Sequence, residues 1–317
     1  MTNRTKALAA VIACMLFWGF SFISIKIAVA VFPPMTLGAL RFTLALIFLF
    51  FLKKKIAPKE KASGKDLVLL ACVGLTGVTL YFFFENNGVL LIPASEASII
   101  TGAIPVITMV AETVRERIIS RQKERGRVLE KIILPGLGAL ISLTGVALVA
   151  GVSFVLSGTA LGYLYMAGAC VCWVCYCFLT SPLFARHSRI FIVFWQSAAG
   201  FIGFLPFAFY EVSKMQNFMM PGIEIWGHII FLGVFCSALG YWFYAQSLEV
   251  LGIGTTSLFI NFIPVISAIG GYLVLGERLR PLQLLGAALV LAGVYLAMAA
   301  QRIAGRFGLL PVGTERS

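Results

Sequence analysis

The chain has 317 residues, of which 60% are hydrophobic and only 12% are charged, and its mean hydropathy is +0.97. A soluble protein of this length carries about twice that share of charged residues, so cytosolic enzymes, secreted disulfide-linked domains and DNA-binding proteins are excluded. In a soluble protein the formal net charge of +12 would suggest nucleic acid as a partner. Here the positions of the basic residues explain that charge as a signal of membrane topology.

Apolar runs long enough to cross a bilayer follow one another along almost the whole chain, which predicts an all-α polytopic membrane protein. Charged residues, Pro or Gly end each run. In chain order the ten predicted transmembrane helices are Ala7–Val31, Met35–Leu52, Leu67–Ile92, Ala94–Val114, Ile132–Val152, Ala160–Leu183, Phe191–Tyr210, Ile225–Leu248, Ile253–Leu275 and Pro281–Ala300. The first run is too long for a cleavable signal peptide, and Lys26 follows where a cleavage site would need small residues.

Basic residues lie almost entirely on one side of these predicted helices. If the N-terminus is cytoplasmic, then residues 53–65, residues 115–131 and the C-terminal tail are cytoplasmic too, and they hold most of the Lys and Arg. Cytoplasmic loops of membrane proteins carry such an excess. We therefore expect a multi-pass protein of the plasma membrane with both termini cytoplasmic and no nucleic-acid partner. The charged segment 115–131 is expected to contact anionic headgroups of the lipid bilayer.

The cysteines between Cys170 and Cys177 resemble a metal-binding motif only at first sight. On a helix Cys170 and Cys177 share one face, whereas Cys172 and Cys175 share another. Neither histidine of the chain lies at the depth needed to complete a site. We expect no metal and no cofactor, and we interpret the cysteines as small, polarizable hydrophobic residues.

Two stretches of the first half of the chain recur in the second half. LGALISLTGVAL at 137–148 matches LGAALVLAGVYL at 285–296, and SIITGAIPV at 98–106 matches SLFINFIPV at 257–265. Because five helices per copy is an odd number, the second copy enters the membrane from the opposite side. The sequence thus predicts two inverted five-helix repeats, residues 1–150 and residues 151–317 with a short cytoplasmic tail, as in many secondary transporters.

Several motifs resemble those of the EamA family in the drug/metabolite transporter superfamily. GYLVLGERLRPLQLLGAALVLAGVYLAMA at 271–299 is similar to the closing signature of that family, and Trp18–Phe22 and Arg41–Phe42 are similar to its opening spans. So is Tyr81–Val106, which includes Glu-Asn at 85–86 and Ala-Ser-Glu-Ala-Ser at 94–98. The first half departs from the pattern at Arg115–Ile118, where Gly-Glu-Arg-Leu is expected and a highly charged insertion follows.

This resemblance covers about residues 7–301 and implies ten helices around a central cavity lined mainly by the first, third and fourth helices of each half. It also implies a secondary carrier, rather than an enzyme, that exports small metabolites such as amino acids. Through their place in the matching motifs, Ser21 and Asn86 become candidate substrate-binding residues. Nothing in the sequence resembles a nucleotide-binding loop, so transport driven by ATP is not expected.

Arg41 and Glu85 are ionisable residues at membrane depth, which makes them functional candidates. At 1.5 Å per helical residue both lie about 10 Å below the outer surface, with opposite charges. One interpretation is an ion pair that fixes the register of two helices. The other is a substrate or proton site, in which Arg41 holds an anionic group such as a carboxylate through its fork of donors.

Other polar and aromatic residues repeat between the halves. Pro105 and Pro264 occupy equivalent places, each with a polar residue one turn earlier, and they are interpreted either as simple kinks or as gates. Aromatic residues in the middle of the spans suit either packing or a cavity. The full set of candidate substrate-binding residues is Trp18, Ser21, Arg41, Tyr81, Glu85, Asn86, Thr101, Trp173, Tyr241, Tyr244 and Asn261.

The favoured function is a secondary transporter that exports a small-molecule substrate, most plausibly an amino acid, by alternating access. The alternatives are an importer or exchanger of a nucleobase, sugar or organic cation, and an intramembrane enzyme. Against an enzyme, no paired carboxylates, His-rich set or Ser-His arrangement occurs at a common depth. Small residues in the fifth and tenth helices favour close helix contacts, either inside the chain or in a homodimer.

Overall fold

The computed structural model describes residues 2–92, 94–119, 128–149, 160–215, 221–275 and 281–306, and within these ranges it contains helices and no strand. The α-helices are α1 Asn3–Val29, α2 Pro34–Ile56, α3 Gly64–Gly74, α4 Tyr81–Leu91, α5 Ala94–Thr101, α6 Ile104–Ile119, α7 Val128–Val149, α8 Ala160–Thr180, α9 Arg189–Lys214, α10 Ile223–Ile230, α11 Tyr241–Leu251, α12 Ile253–Leu258, α13 Phe262–Leu275 and α14 Pro281–Arg306. Residues 120–127 of the charged segment, the Gly-Glu-Arg at 276–278 and the junction between the predicted repeats lie outside the described residues.

Six continuous helical stretches among the described residues are long and apolar enough to cross a bilayer. They are Asn3–Val29, Pro34–Ile56, Gly64–Leu91, Ala160–Ala185, Arg189–Lys214 and Ile223–Leu251, and they coincide with the first, second, third, sixth, seventh and eighth predicted spans. Shorter apolar stretches, Gly136–Gly145 and Ile253–Ser267, fall in the fifth and ninth. The all-helical fold is confirmed, and the count of ten spans stays a prediction.

The predicted fourth span is interrupted, and the ninth is a helical stretch with a 3-10 turn inside it. α5 and α6 are separated by residues 102–103, and α12 and α13 are separated by the 3-10 turn Phe259–Asn261. Pro105 and Pro264 each lie in the first turn of the helix that follows, where a missing N–H costs no helical hydrogen bond. The interpretation of the two prolines as simple kinks or as gates therefore stays a prediction.

One end of the bundle, which we call the first face, holds the start of α1 together with the ends of α2, α8 and α11 and the starts of α3 and α9. The two ring nitrogens of His187 each lie 3.1 Å from a carboxylate oxygen, one of Glu60 and one of Asp66. Arg186 forms a 2.8 Å salt bridge with Asp66. These contacts join the connection after α2 to the connection after α8, so both connections lie on the same face.

The opposite end, the second face, holds the ends of α1, α4 and α9 and the starts of α2 and α10. The Lys26 ammonium donates hydrogen bonds to the carbonyls of Val89 at 2.6 Å and Ile92 at 3.1 Å. These carbonyls belong to the C-terminal end of α4, where a positive charge is favourable. Lys26 therefore fastens α1 to α4 at the second face.

α2 and α9 pack side by side and exchange glutamate caps. A glutamate near the C-terminal end of α9 caps the N-terminus of α2, and a glutamate that follows α2 caps the N-terminus of α9. Glu211 of α9 accepts hydrogen bonds from the backbone N–H of Met35 at 3.1 Å and of Thr36 at 2.7 Å. Glu60, which follows α2, accepts hydrogen bonds from the Ser188 backbone N–H at 2.9 Å and hydroxyl at 2.5 Å. A carboxylate at a helix N-terminus satisfies free N–H groups and complements the helix dipole.

α7 and α14 approach each other closely through glycine. A Cβ atom on Gly145 would lie 2.6 Å from the Gly286 carbonyl oxygen, and a Cβ atom on Gly293 would lie 2.5 Å from the Gly138 carbonyl oxygen. Only glycine allows the two backbones to come so near. The small residues of these two helices therefore form a contact inside the chain, which was one of the two possibilities that the sequence left open.

Candidate functional site

The third predicted span of each half contains a π-helical segment in its middle. The first π segment, Leu75–Leu80, joins α3 to α4, and the second π segment, Phe231–Gly240, joins α10 to α11. Each π segment ends directly before a tyrosine, Tyr81 in one case and Tyr241 in the other. π-Helical turns are rare in proteins, and those that occur are often found at functional sites. The residues around these two tyrosines are therefore candidates for the functional site.

Six aromatic rings from α1, α4, α8 and α11 form one cluster around the two π segments. We call this the aromatic cluster: Trp18, Tyr81, Trp173, Tyr176, Tyr241 and Tyr244. The Trp173 ring centroid lies 5.1 Å from that of Trp18 and 4.9 Å from that of Tyr81. Five sequence-predicted site residues are thereby brought together, and they come from both halves of the chain.

The polar atoms of the aromatic cluster are hydrogen-bonded to one another, to backbone carbonyls, or to the side chains of Glu85 and Gln196. The Tyr241 hydroxyl donates to the Gly77 carbonyl at 2.5 Å, and the Trp18 indole N–H donates to the Cys236 carbonyl at 3.1 Å. The Trp173 indole N–H donates to the Tyr244 hydroxyl at 3.2 Å. Buried Trp and Tyr need such partners, so these bonds fix the orientation of the rings.

Arg41 is buried beside this cluster, with only 2% of its surface exposed. Its Nε atom donates to the Ser237 hydroxyl at 2.8 Å, and its guanidinium carbon lies 4.2 Å from the centroid of the Phe82 ring. Its Nη1 atom is buried without a hydrogen-bond partner. An unpaired N–H on a buried cation is costly, so the guanidinium retains binding capacity that the fold does not use.

The predicted ion pair between Arg41 and Glu85 is absent: no salt bridge joins these two described residues. The Glu85 carboxylate instead accepts a 2.7 Å hydrogen bond from the Tyr81 hydroxyl, one helical turn earlier on α4. The guanidinium contacts Ser237 and the Phe82 ring, while its charge still interacts with the Glu85 carboxylate without direct contact. The direct ion pair that one interpretation expected is therefore not formed.

The remaining predicted site residues have other contacts. The Asn86 amide donates to the Pro34 carbonyl at the start of α2, and its Oδ1 atom is buried without a partner. The hydroxyls of Ser21 and Thr101 donate to carbonyls one turn earlier in their own helices. The Asn261 amide donates to the Ser142 hydroxyl on α7. The described contacts of these four residues do not connect their side chains with the rings of the aromatic cluster.

Sequence reasoning missed several residues that the structure brings to the site. Tyr176 lies in the aromatic cluster three residues after Trp173, a spacing that places the two on one helix face. Gly77 and Ser237 each precede a cluster tyrosine by four residues and lie in equivalent places in the two π segments. The sequence shows that Gly77 and Ser237 lie four residues before the two tyrosines. It does not show that both residues lie in π-helical segments.

The cysteines of α8 lie as the helical spacing predicts. Cys170 and Cys177 are buried, whereas Cys175 is exposed and Cys172 is half-buried. All seven cysteines are free thiols. Among the described residues no group of His, Cys, Asp and Glu is placed to hold a metal ion.

The bundle of apolar helices buries an arginine, a glutamate and paired aromatic rings in its interior. Such an arrangement is typical of a membrane transporter. The family comparison agrees with this class. The model of the EamA-like transporter family matches residues 5–123 and 160–299, so the chain belongs to that family. It is a multi-pass membrane transporter, not an enzyme, with a small-molecule substrate and a lipid bilayer around it.

Related proteins cover almost the whole chain. An uncharacterized transporter of Archaeoglobus fulgidus is 27% identical over 89% of this chain and 95% of that protein. A probable terminal-alkyne amino-acid exporter of Streptantibioticus cattleyicolor is 25% identical over 92% of this chain and 93% of that protein. A probable amino-acid metabolite efflux pump of Escherichia coli is 25% identical over 93% and 95%.

A solved structure shares the fold. It matches with a TM-score of 0.70 and 19% sequence identity, and it covers 95% of this chain and 99% of its own. At that identity the match supports the arrangement of the helices and carries no information on the substrate.

Proposed function

We propose that this chain is a secondary transporter of the plasma membrane that exports a small polar metabolite, most plausibly an amino acid, by alternating access. The observation that carries the proposal is Arg41, a buried cation at membrane depth whose Nη1 atom has no hydrogen-bond partner. A bound carboxylate would complete the hydrogen bonds of its guanidinium through two parallel contacts. An ionisable side chain is costly to bury within a membrane-spanning segment, and we therefore assign Arg41 a role in ligand binding.

The separation of Glu85 from Arg41 favours a substrate that carries both charges. Glu85 keeps an acceptor oxygen beyond the one that receives the Tyr81 hydroxyl, and it can take the ammonium of an amino acid while Arg41 takes the carboxylate. The rings of the aromatic cluster then supply apolar surface for the remainder of the molecule. The names of two relatives, an amino-acid exporter and an amino-acid metabolite efflux pump, agree with this class.

The proposed architecture is ten spans in two inverted five-helix repeats, with the substrate between them. Reciprocal contacts support it: Glu211 caps α2 while Glu60 caps α9, and Gly145 contacts α14 while Gly293 contacts α7. An approximate two-fold axis in the membrane plane would generate such pairs. The interruption of the fourth span before Pro105 and the 3-10 turn before Pro264 fit the same scheme, and we assign both prolines to the gating movement. The first face is then the cytoplasmic one, and both termini are cytoplasmic.

Substrate counterflow in proteoliposomes tests this proposal. Vesicles loaded with single amino acids, nucleobases, sugars or organic cations are compared for uptake of the labelled compound. We expect an amino acid to support counterflow, with a Michaelis constant raised at least about tenfold in Arg41→Lys, because an ammonium cannot reproduce the bidentate contact. Arg4→Lys, at an exposed arginine, is the matched control and should behave as the native protein.

Counterflow of a nucleobase, sugar or organic cation without any amino acid would instead establish the alternative, an importer or exchanger of another solute. An unchanged Michaelis constant in Arg41→Lys would remove Arg41 from the substrate site. The direction of transport is measured separately, by whether cells that express the protein release the substrate into the medium faster than cells with an empty vector.

A further inference from the structure

Arg41 has a counterpart in the second half of the chain. Arg41 is the eighth residue of α2, and Gln196 is the eighth residue of α9. Gln196 follows Arg41 by 155 positions, and Trp173 of α8 follows Trp18 of α1 by the same 155 positions. In the proposed inverted repeats Gln196 is therefore the equivalent of Arg41.

The backbone contacts of Arg41 and Gln196 are reciprocal between the two halves. A Cβ atom on Gly233, inside the second π segment, would lie 2.8 Å from the Arg41 carbonyl oxygen. A Cβ atom on Gly74, directly before the first π segment, would clash in the same way with the Gln196 carbonyl oxygen. Each of the two residues thus packs against the π segment of the opposite half, which supports the equivalence that the spacing indicates.

The side chain of Gln196 reaches the aromatic cluster. It is fully buried, and its Nε2 atom donates a 3.3 Å hydrogen bond to the Tyr176 hydroxyl. The Tyr176 ring in turn packs against the first π segment, where a Cβ atom on Gly77 would clash with it. The Oε1 atom of Gln196 is buried without a hydrogen-bond partner, as the Nη1 atom of Arg41 is. In both residues the fold uses one polar atom of the side chain and leaves another unpaired.

The unpaired atoms of the two residues have opposite chemistry. The guanidinium of Arg41 is a charged donor, whereas the Oε1 atom of Gln196 is a neutral acceptor. In the proposed function, on which this inference rests, Arg41 and Glu85 take the carboxylate and the ammonium of an amino acid. We propose that Gln196 accepts a hydrogen bond from the side chain of that amino acid. The transporter then selects amino acids whose side chain carries a hydroxyl or N–H donor.

The selection follows from the cost of a buried acceptor that stays unpaired. A side chain with a donor pairs the Oε1 atom, whereas an apolar side chain of the same shape covers that atom and leaves it unpaired. A site built to bond a hydroxyl rejects the analogue that lacks it. The expected discrimination is about 5- to 150-fold. The rings of the aromatic cluster offer apolar contact to both kinds of side chain.

Two matched pairs of amino acids test the inference, threonine with valine and tyrosine with phenylalanine. Counterflow of each labelled amino acid is measured in proteoliposomes with the native protein and with Gln196→Leu, which removes the acceptor and keeps a side chain of similar size. In the native protein we expect transport of at least one pair, with a Michaelis constant at least about fivefold lower for the hydroxylated member. In Gln196→Leu the ratio should fall to about one. Gln246→Leu, at a half-buried glutamine of α11 outside the aromatic cluster, is the matched control and should keep the native ratio.

O-methylthreonine and isoleucine separate a need for a donor from a general preference for polarity. The two compounds have similar shapes, and the ether oxygen of O-methylthreonine accepts hydrogen bonds but donates none. The native protein should bind both equally as competitors of the hydroxylated amino acid. A preference for O-methylthreonine would show that the site supplies a donor, and it would overturn the inference.

Three further outcomes would overturn the role of Gln196: equal Michaelis constants within both pairs, transport of neither pair, or a native preference that survives in Gln196→Leu. Each ratio is measured within one preparation and does not depend on how much protein folds. If Gln196→Leu does not fold, the native ratios and the O-methylthreonine comparison still decide. Counterflow of no amino acid at all would refute the proposed function together with this inference. Counterflow of amino acids without a preference for a side-chain donor would refute this inference alone.

Discussion

The double variant Arg41→Met/Ser237→Ala distinguishes between two roles of the Arg41 guanidinium, substrate binding and support of the fold. The double variant removes the buried charge and the hydroxyl that bonds to its Nε atom. Methionine is unbranched and apolar, and it fills irregular space well. If Arg41 is buried in order to bind a substrate, the fold should tolerate its loss while transport does not.

The contributions to stability can be compared from the contacts of Arg41. The variant loses the position of the guanidinium over Phe82, worth about 2 kcal/mol when desolvated, and the bond to Ser237, worth about 1.5–3 kcal/mol. It regains the cost of the unpaired Nη1, about 1–3 kcal/mol, and several kcal/mol of desolvation of the buried charge. The variant also loses the electrostatic attraction between the guanidinium and the Glu85 carboxylate. The losses and gains are of similar size, so we expect a stability within about 2 kcal/mol of the native protein.

Thermal unfolding in detergent and counterflow of the substrate are the two assays. The double variant should unfold close to the native temperature and transport nothing above the rate of empty vesicles. Ser237→Ala alone is the control for stability, because it leaves the charged Nε unpaired and should cost about 1–3 kcal/mol. Native transport by the double variant would refute a substrate role. A loss of more than about 4 kcal/mol would show that the guanidinium mainly supports the fold.

Three further experiments test other parts of the structure. Glu85→Gln keeps an oxygen for the Tyr81 hydroxyl but removes the charge, so the protein should fold normally and lose transport or its pH dependence; an unchanged pH profile of counterflow would contradict this. Gly145→Leu and Gly293→Leu place side chains against equivalent backbone atoms and should lower the unfolding temperature by similar amounts, unless the α7–α14 contact is not reciprocal. Gly64→Cys and Gly222→Cys, both with open space around the added atom, should label from opposite sides of the membrane, with only Gly222→Cys reacting from outside; labelling of both from outside would exclude the proposed topology.

The broad fold and part of the site could be read from the sequence because both depend on composition and spacing. Apolar length indicated the helices, and helix periodicity separated the buried Cys170 and Cys177 from Cys172 and Cys175. Aromatic residues in the middle of spans indicated Trp18 and Trp173, which do meet. These features require no knowledge of which helix packs beside which.

Features that depend on neighbouring helices were not predictable in this way. Equal depth and opposite charge suggested that Arg41 and Glu85 pair, but depth says nothing about rotation around each helix axis, and Ser237 and Tyr81 lie nearer. The sequence before Tyr81 is compatible with either an α-helix or a π-helix. Within the π segment the Gly77 carbonyl accepts a hydrogen bond from the Tyr241 hydroxyl, and that partner is more than 160 positions away in the chain.

The exchanged caps of α2 and α9 have a consequence for how such a chain can be divided. A fragment that ends before residue 150 would carry α2 with its first N–H groups uncapped and Glu60 without its acceptor role, and the complementary fragment would have the mirror deficiency. Each fragment would need the other half of the chain to supply its missing cap. A single polypeptide provides the two halves in a fixed one-to-one ratio, so that neither cap depends on the chance meeting of separate chains.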